Sequence, residues 1–251
     1  MTPEQCARAA KPGLELGDAY TECPQTLRRA RRMGLSGWAF YVAGRAGVLG
    51  DVTAETAAAA LGFIAPEAVA DGWETACQIT TPAEVASASL EECCRWGAVR
   101  LNRVPRVTRL VELAERIVAA ADPAGLPLFA AWRARPIPDD APGARAAVLL
   151  RQLQEFRSGV HLLAVRAGGL TPLEAILAGP EGEAGAMMNG WPAPYPPVGA
   201  LVRRLHWAEA VTDRITGRAF AVLTGEERAE FIELLAEAAA MVNADSAPAR
   251  R

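Results

Sequence analysis

Apolar side chains recur at three- and four-residue spacing along nearly the whole chain, with polar residues on the opposite faces, and no segment alternates as a half-buried strand does. The periodicity predicts helices near 3–11, 14–20, 25–46, 54–61, 66–77, 82–95, 105–121, 143–167, 172–178, 198–222 and 225–243, and hence an all-α fold. Three starts carry a Thr-x-x-Glu capping box: Thr81 with Glu84, Thr171 with Glu174, and Thr224 with Glu227. In the first two, Pro82 and Pro172 stand at the first helical position, where the missing N–H costs nothing. Pro-rich stretches at 135–142 and 191–197 read as stiff, extended connectors, with Asp139 and Asp140 as a solvated turn. The small, polar residues from 244 to 251 are expected to form a frayed tail.

Composition sets the class. Of 251 residues, 51% are hydrophobic and 22% charged, which suits a packed core without a disulfide or metal staple. The first residues carry no basic, then apolar, leader, and no apolar run approaches the roughly 20 residues a bilayer requires. A cytoplasmic protein without a membrane span is therefore expected. Five cysteines, an odd number without CxxC spacing, read as free thiols, and adjacent Cys93 and Cys94 read as small core filler. A net charge of −3 gives no global attraction to phosphate, and Lys11 is the only lysine among 26 basic residues. Arginine suits bidentate pairing with carboxylate or phosphate, although a G+C-rich codon bias also yields such a composition.

Three stretches carry a family resemblance: 38–46 (WAFYVAGRA), 122–129 (DPAGLPLF) and 155–161 (EFRSGVH), continued by Thr212-Asp213-Arg214 and by 223–228 (LTGEER). Together they resemble an actinobacterial family of helix-turn-helix or SalK-like proteins. That resemblance implies a helical N-terminal part (1–170), in which most of the candidate pocket residues below fall, and a winged-helix-related region (171–243). It also implies histidines where this chain has Leu14, Val148 and Phe156, so that only His161 remains of the set. The basic recognition helix and Gly-containing wing expected between Gly190-Trp191 and Thr212 are replaced by a proline linker, so the region reads as reduced.

Reading DNA requires arginine, lysine, asparagine or glutamine near phosphates and base edges. Between Arg166 and Arg203 there is no Lys, Arg or His, and the candidate recognition segment 183–189 (EAGAMMN) is apolar and slightly acidic. Arg28, Arg29, Arg31 and Arg32 form the other basic cluster, which spans more than one helical turn and reads as a solvated face. DNA is thus an unexpected partner, and a helix-turn-helix regulator is the alternative.

GxGxxG after a strand, GxxxxGK[ST], HExxH and GxSxG are all absent, and two histidines are too few for a multi-histidine metal site, so neither cofactor nor metal is expected. The leading catalytic constellation joins Arg157 to His161, four residues apart on one helical face, as anion holder and proton carrier. Trp38, Tyr41 and Arg45 make a second candidate surface, an aromatic wall with a guanidinium. Glu15 and Asp18, three apart, could present an acid and a base together if one were buried. Trp191 and Tyr195, fixed by the prolines around them, are expected to border the pocket. These residues point to a protein that binds a small anionic metabolite, with cofactor-free elimination, cyclisation or isomerisation as the most concrete chemistry, and the family resemblance adds specialised metabolism as its setting. A partner-binding module is the remaining alternative, and a homo- or hetero-oligomer is left open.

Overall fold

A computed structural model of the protein describes residues 1–138 and 141–246. Thirteen α-helices occur among them and no strand. They are α1 (Pro3–Leu14), α2 (Pro24–Arg32), α3 (Gly37–Ala46), α4 (Ala54–Leu61), α5 (Pro66–Cys77), α6 (Pro82–Arg100), α7 (Val107–Ala120), α8 (Pro127–Arg133), α9 (Pro142–Ala167), α10 (Pro172–Ala178), α11 (Gly182–Met188), α12 (Val202–Phe220) and α13 (Gly225–Ser246). Short 3₁₀ turns at Glu15–Gly17 and Gly47–Leu49 complete the set.

Local chemistry explains most of the boundaries. Thr81 and Thr171 accept from the N–H groups of Glu84 and Glu174, whose carboxylates accept from the threonine N–H groups in return. Thr224 and Glu227 do the same ahead of α13. A further box, Thr2 with Gln5, starts α1.

Elsewhere the expected elements change. The single helix predicted over 25–46 is two, because Gly34 adopts φ +80° after α2 and the Ser36 hydroxyl then caps α3. The helix expected over 14–20 is only a 3₁₀ turn. Two short helices, α8 and α11, arise where none was predicted, since seven residues give periodicity little to act on. Residues 244–246, expected to fray, continue α13, while 247–251 and the Asp139-Asp140 turn lie outside the described residues.

The core is organised around α9, whose residues are buried on nearly every side by α6, α7, α8, α12 and the first 3₁₀ turn. Its crossing with α6 depends on two glycines: a Cβ on Gly97 would stand 2.4 Å from the Gly143 carbonyl oxygen. Phe220, Leu223, Phe231, Leu234 and Leu235 join the same core as Leu110, Phe129 and Leu149, so the packing is not divided at residue 170. A small second core gathers Ala164, Val165 and Leu170 with Ala175, Leu205 and Ala208, where α10 and α12 meet the end of α9. Among the described residues no single helix is long and apolar enough to cross a membrane. The five cysteines are free thiols, with Cys93 fully buried as the filler reading expects.

Candidate functional site

Two clefts flank α9, and Phe63 and Ser158 line both. Phe63 sits in the loop after α4, where Gly62 at φ +61° turns the chain.

The first cleft, about 400 Å³, lies between α3, α4, α8 and α9. Its walls are almost wholly apolar, including Leu49, Leu126, Phe129 and Leu162, and Arg45 and Glu155 form its polar floor. Arg45 donates to both carboxylate oxygens of Glu155, Nε at 2.7 Å and Nη2 at 3.0 Å, and from Nη1 to the Tyr41 hydroxyl at 3.3 Å. Arg151, four residues before Glu155 on α9, also donates to it and forms an ion pair with Asp18. Its guanidinium lies 5.1 Å from the centre of the Trp132 ring, and Trp132 Nε1 donates to the Arg45 carbonyl at 3.1 Å. Burial would push the Glu155 carboxyl up, but Arg151 and Arg45 outweigh it and hold the group below the ordinary carboxylate range. Two guanidiniums and two carboxylates balance, so the floor of the cleft is polar yet neutral.

The second cleft, about 330 Å³, contains Lys11, Glu15, Gln154, Arg157, His161 and Glu209. Arg157 and His161 share a face of α9, as their spacing predicts, and the guanidinium is ion-paired to two carboxylates. It donates to Asp213 Oδ1 at 3.1 Å and Glu209 Oε2 at 2.9 Å. Arg8 and Lys11 take the other oxygens of the same two acids, at 2.8 and 2.9 Å. Arg157 thus already holds two carboxylate partners, each shared with a second cation, before any anion arrives.

His161 fares differently. Thr212 spends its hydroxyl proton on the Ala208 carbonyl at 2.7 Å, so at the 3.0 Å contact with His161 Nδ1 the threonine oxygen accepts. That assigns the proton to Nδ1 and leaves the Nε2 lone pair free, 3.9 Å from Glu209 and beyond hydrogen-bond reach. Burial lowers the histidine pKa, and Arg157 and Lys11 reinforce this against the opposing pull of Glu209 and Asp213. The ring, stacked on Phe63 at 5.5 Å between centres, is a neutral hydrogen-bond acceptor near pH 7.

The remaining candidates separate. Glu15 lines the second cleft while Asp18 pairs with Arg151, so the two acids do not form an acid–base couple. Trp38 packs α3 against α5, its Nε1 donating to the Ala68 carbonyl, and only Tyr41 of that pair reaches the Arg45 cluster. Trp191 and Tyr195 line neither cleft. Instead Trp191 Nε1 donates to the Phe63 carbonyl at 2.8 Å, Ala65 N–H donates to the Asn189 carbonyl at 2.9 Å, and Tyr195 donates to the Trp191 carbonyl. The proline segment therefore fixes the loop that carries Phe63. Glu155, Arg151 and Phe63 were not singled out as site residues from sequence, although an Arg-x-x-x-Glu pair at one-turn spacing in the middle of a long helix is a visible signal of an ion pair. Among the described residues no cluster of three metal-binding side chains occurs.

With this geometry in place, a family comparison becomes informative: a helix-turn-helix family model matches residues 8–195, most of the chain. The chain belongs to this helix-turn-helix family. Comparison with curated proteins and with solved structures gives no match. The matched stretch contains both helices that line the first cleft floor, α3 and α9. It also contains the adjacent pair α10 and α11, the last of which exposes Met187 and Met188 rather than basic side chains.

Proposed function

We propose that this helix-turn-helix family member is a small-molecule-binding protein whose ligand enters the first cleft. One observation carries the reading: a largely apolar chamber of about 400 Å³, within the range of ligand sites, holds one charged pair, Arg45 and Glu155, with the hydroxyl residues Thr56 and Ser158 as its other polar lining. Such a chamber suits a mostly apolar molecule with one polar end. A strongly anionic metabolite fits less well, because Glu155 already neutralises Arg45. Binding is favoured over catalysis, since Arg45 and Glu155 are tied to each other in this cleft, and His161, with its free Nε2, stands in the second cleft beside Glu15 and Glu209. A role in specialised metabolism and a kinship with actinobacterial SalK-like proteins are narrower parts of the same proposal. Family membership favours a regulator as the setting, with the cleft as effector site.

Native mass spectrometry of freshly purified protein is expected to show a retained small molecule, and Ala60→Trp, which fills the cleft from α4, is expected to lose it. If the filled variant retains the same molecule in the same amount, the ligand lies elsewhere and the cleft assignment is wrong.

A further inference from the structure

Along the middle of α9 the charged side chains are already paired: Arg151 with Glu155, and Arg157 with Glu209 and Asp213. Gln154, Ser158 and His161, each about one turn apart, fall within an arc of about 60° and line the second cleft. The side chains of Gln154 and Ser158 take part in no hydrogen bond among the described residues, and His161 uses only Nδ1. Opposite them stand Ala175 and Ile176 of α10 and Leu205 of α12. The cleft, about 330 Å³, therefore sets open hydrogen-bonding groups on one wall against apolar surface on the other, as ligand sites do. His161 Nε2 and Glu209 Oε1 are 3.9 Å apart, too far to bond directly, and both are acceptors once Nδ1 holds the ring proton. An atom bearing two hydrogens fits between them, about 2.9 Å from each, with an angle of about 85° at the donor.

We propose that the second cleft binds a neutral molecule through a primary carboxamide, whose NH₂ group bridges His161 Nε2 and Glu209 Oε1. Oε1 accepts from Lys11 and keeps a second lone pair. A hydroxyl offers a single hydrogen and a carboxylate none. An ammonium offers enough, but Lys11 and Arg157, already bonded to Glu209, would repel it. Glu15 and Glu181, the unpaired acids of the cleft, are exposed, so water screens their pull on a cation. Ser158, one turn before His161 on the same stripe, is placed to donate to the amide carbonyl, an acceptor that a simple aromatic amine lacks. Gln154, a turn further, is left for a polar substituent, and the apolar remainder of the ligand lies against Ile176 and Leu205. Thr212 anchors the imidazole through Nδ1 and Phe63 stacks on it, so the acceptor is held in position. His161 and Glu209 fall short of the three ligands of a metal site. The proposal does not rest on the first cleft, although Phe63 and Ser158 line both.

NMR of the full chain tests it, because His161 and His206 are the only two histidines, and the ring signal that disappears in His161→Phe reports on the cleft. Benzamide should shift that signal saturably, with a Kd of about 1–10 mM for a fragment of its size, and leave exposed His206 unmoved. Acetophenone, of the same shape without the N–H groups, benzoate and benzamidine should each bind there about three-fold or more weakly. Ser158→Ala should keep its circular dichroism and weaken benzamide about 2- to 10-fold. Ala60→Trp, which fills the first cleft, should leave the titration in place. The proposal is overturned if benzamide leaves the His161 signal still, if Ser158→Ala binds undiminished, or if any of the three analogues matches benzamide. In that last case benzoate would indicate an anionic ligand and benzamidine a cation held by Glu15 and Glu181. Loss of the titration in Ala60→Trp would also overturn it, by placing the probe in the first cleft.

Discussion

Replacing Glu155 with alanine should be the most damaging single change in the first cleft. The carboxylate is 1% exposed and receives two donors from Arg45 and another from Arg151, whose side chains are 13% and 1% exposed. Removing it leaves two guanidiniums held away from water with Asp18 as the only remaining counter-charge. Breaking a buried pair from one side costs about 3–5 kcal/mol, because the surviving charge loses its partner without regaining solvent. At about 2–4 °C per kcal/mol for a chain of this size, the midpoint should fall by about 6–20 °C. Urea titration followed by far-UV circular dichroism, with a calorimetric scan, measures both quantities. Because ion pairs also cost desolvation, Arg45→Met with Glu155→Leu should recover much of the loss, as the remaining pair, Arg151 and Asp18, is balanced. A fall of less than about 1 kcal/mol for Glu155→Ala would show that the guanidiniums relax to water and that the floor of the cleft is not the closed network described.

Acidification should probe both clefts with the same sign. The folded-state pKa of His161 lies below its unfolded value of 6.5, so its contribution is complete above pH 6.5 and declines as pH falls beneath it, and His161→Gln should flatten that part of a stability–pH profile. Glu155, also depressed, contributes fully above about pH 4.5 and is lost on further acidification, a limb that Glu155→Gln should remove. Gly97→Ala should cost about 1–3 kcal/mol by forcing α6 off α9, whereas Gly50→Ala should be limited to backbone strain at φ +84°, since nothing lies within 4 Å of the added methyl. Mild alkylation should modify exposed Cys77 first and leave helicity intact, while Cys6, with a pKa pushed up to about 12 by burial, and Cys93 react only on unfolding, as mass-mapped labelling in increasing urea would reveal.

Helices and their starts were legible in the linear order of residues because both depend on neighbours three and four positions away. A threonine hydroxyl caps the N–H three residues on, a proline fixes its own φ, and an apolar stripe repeats within a turn. For the same reason Arg157 and His161 could be placed on one face before any fold was known. What lies across that face could not. Arg157 pairs with Glu209 and Asp213, more than 50 positions along the chain, and nothing near it in the sequence announces them. Arg45 meets Glu155 across a separation of 110 positions, and Trp191 reaches the Phe63 carbonyl across 128. Whether an ionisable side chain is free or neutralised depends on such distant partners, and an amphipathic pattern records only that a residue faces inward or outward. The same holds for arginine: in the conspicuous run from Arg28 to Arg32 only Arg29 is paired, to Glu91, and that pairing, 62 positions away, is invisible in the run itself. Helical periodicity gave each side chain its direction, but only tertiary packing, by bringing Glu91 to Arg29 and Glu209 and Asp213 to Arg157, decided which guanidiniums are paired.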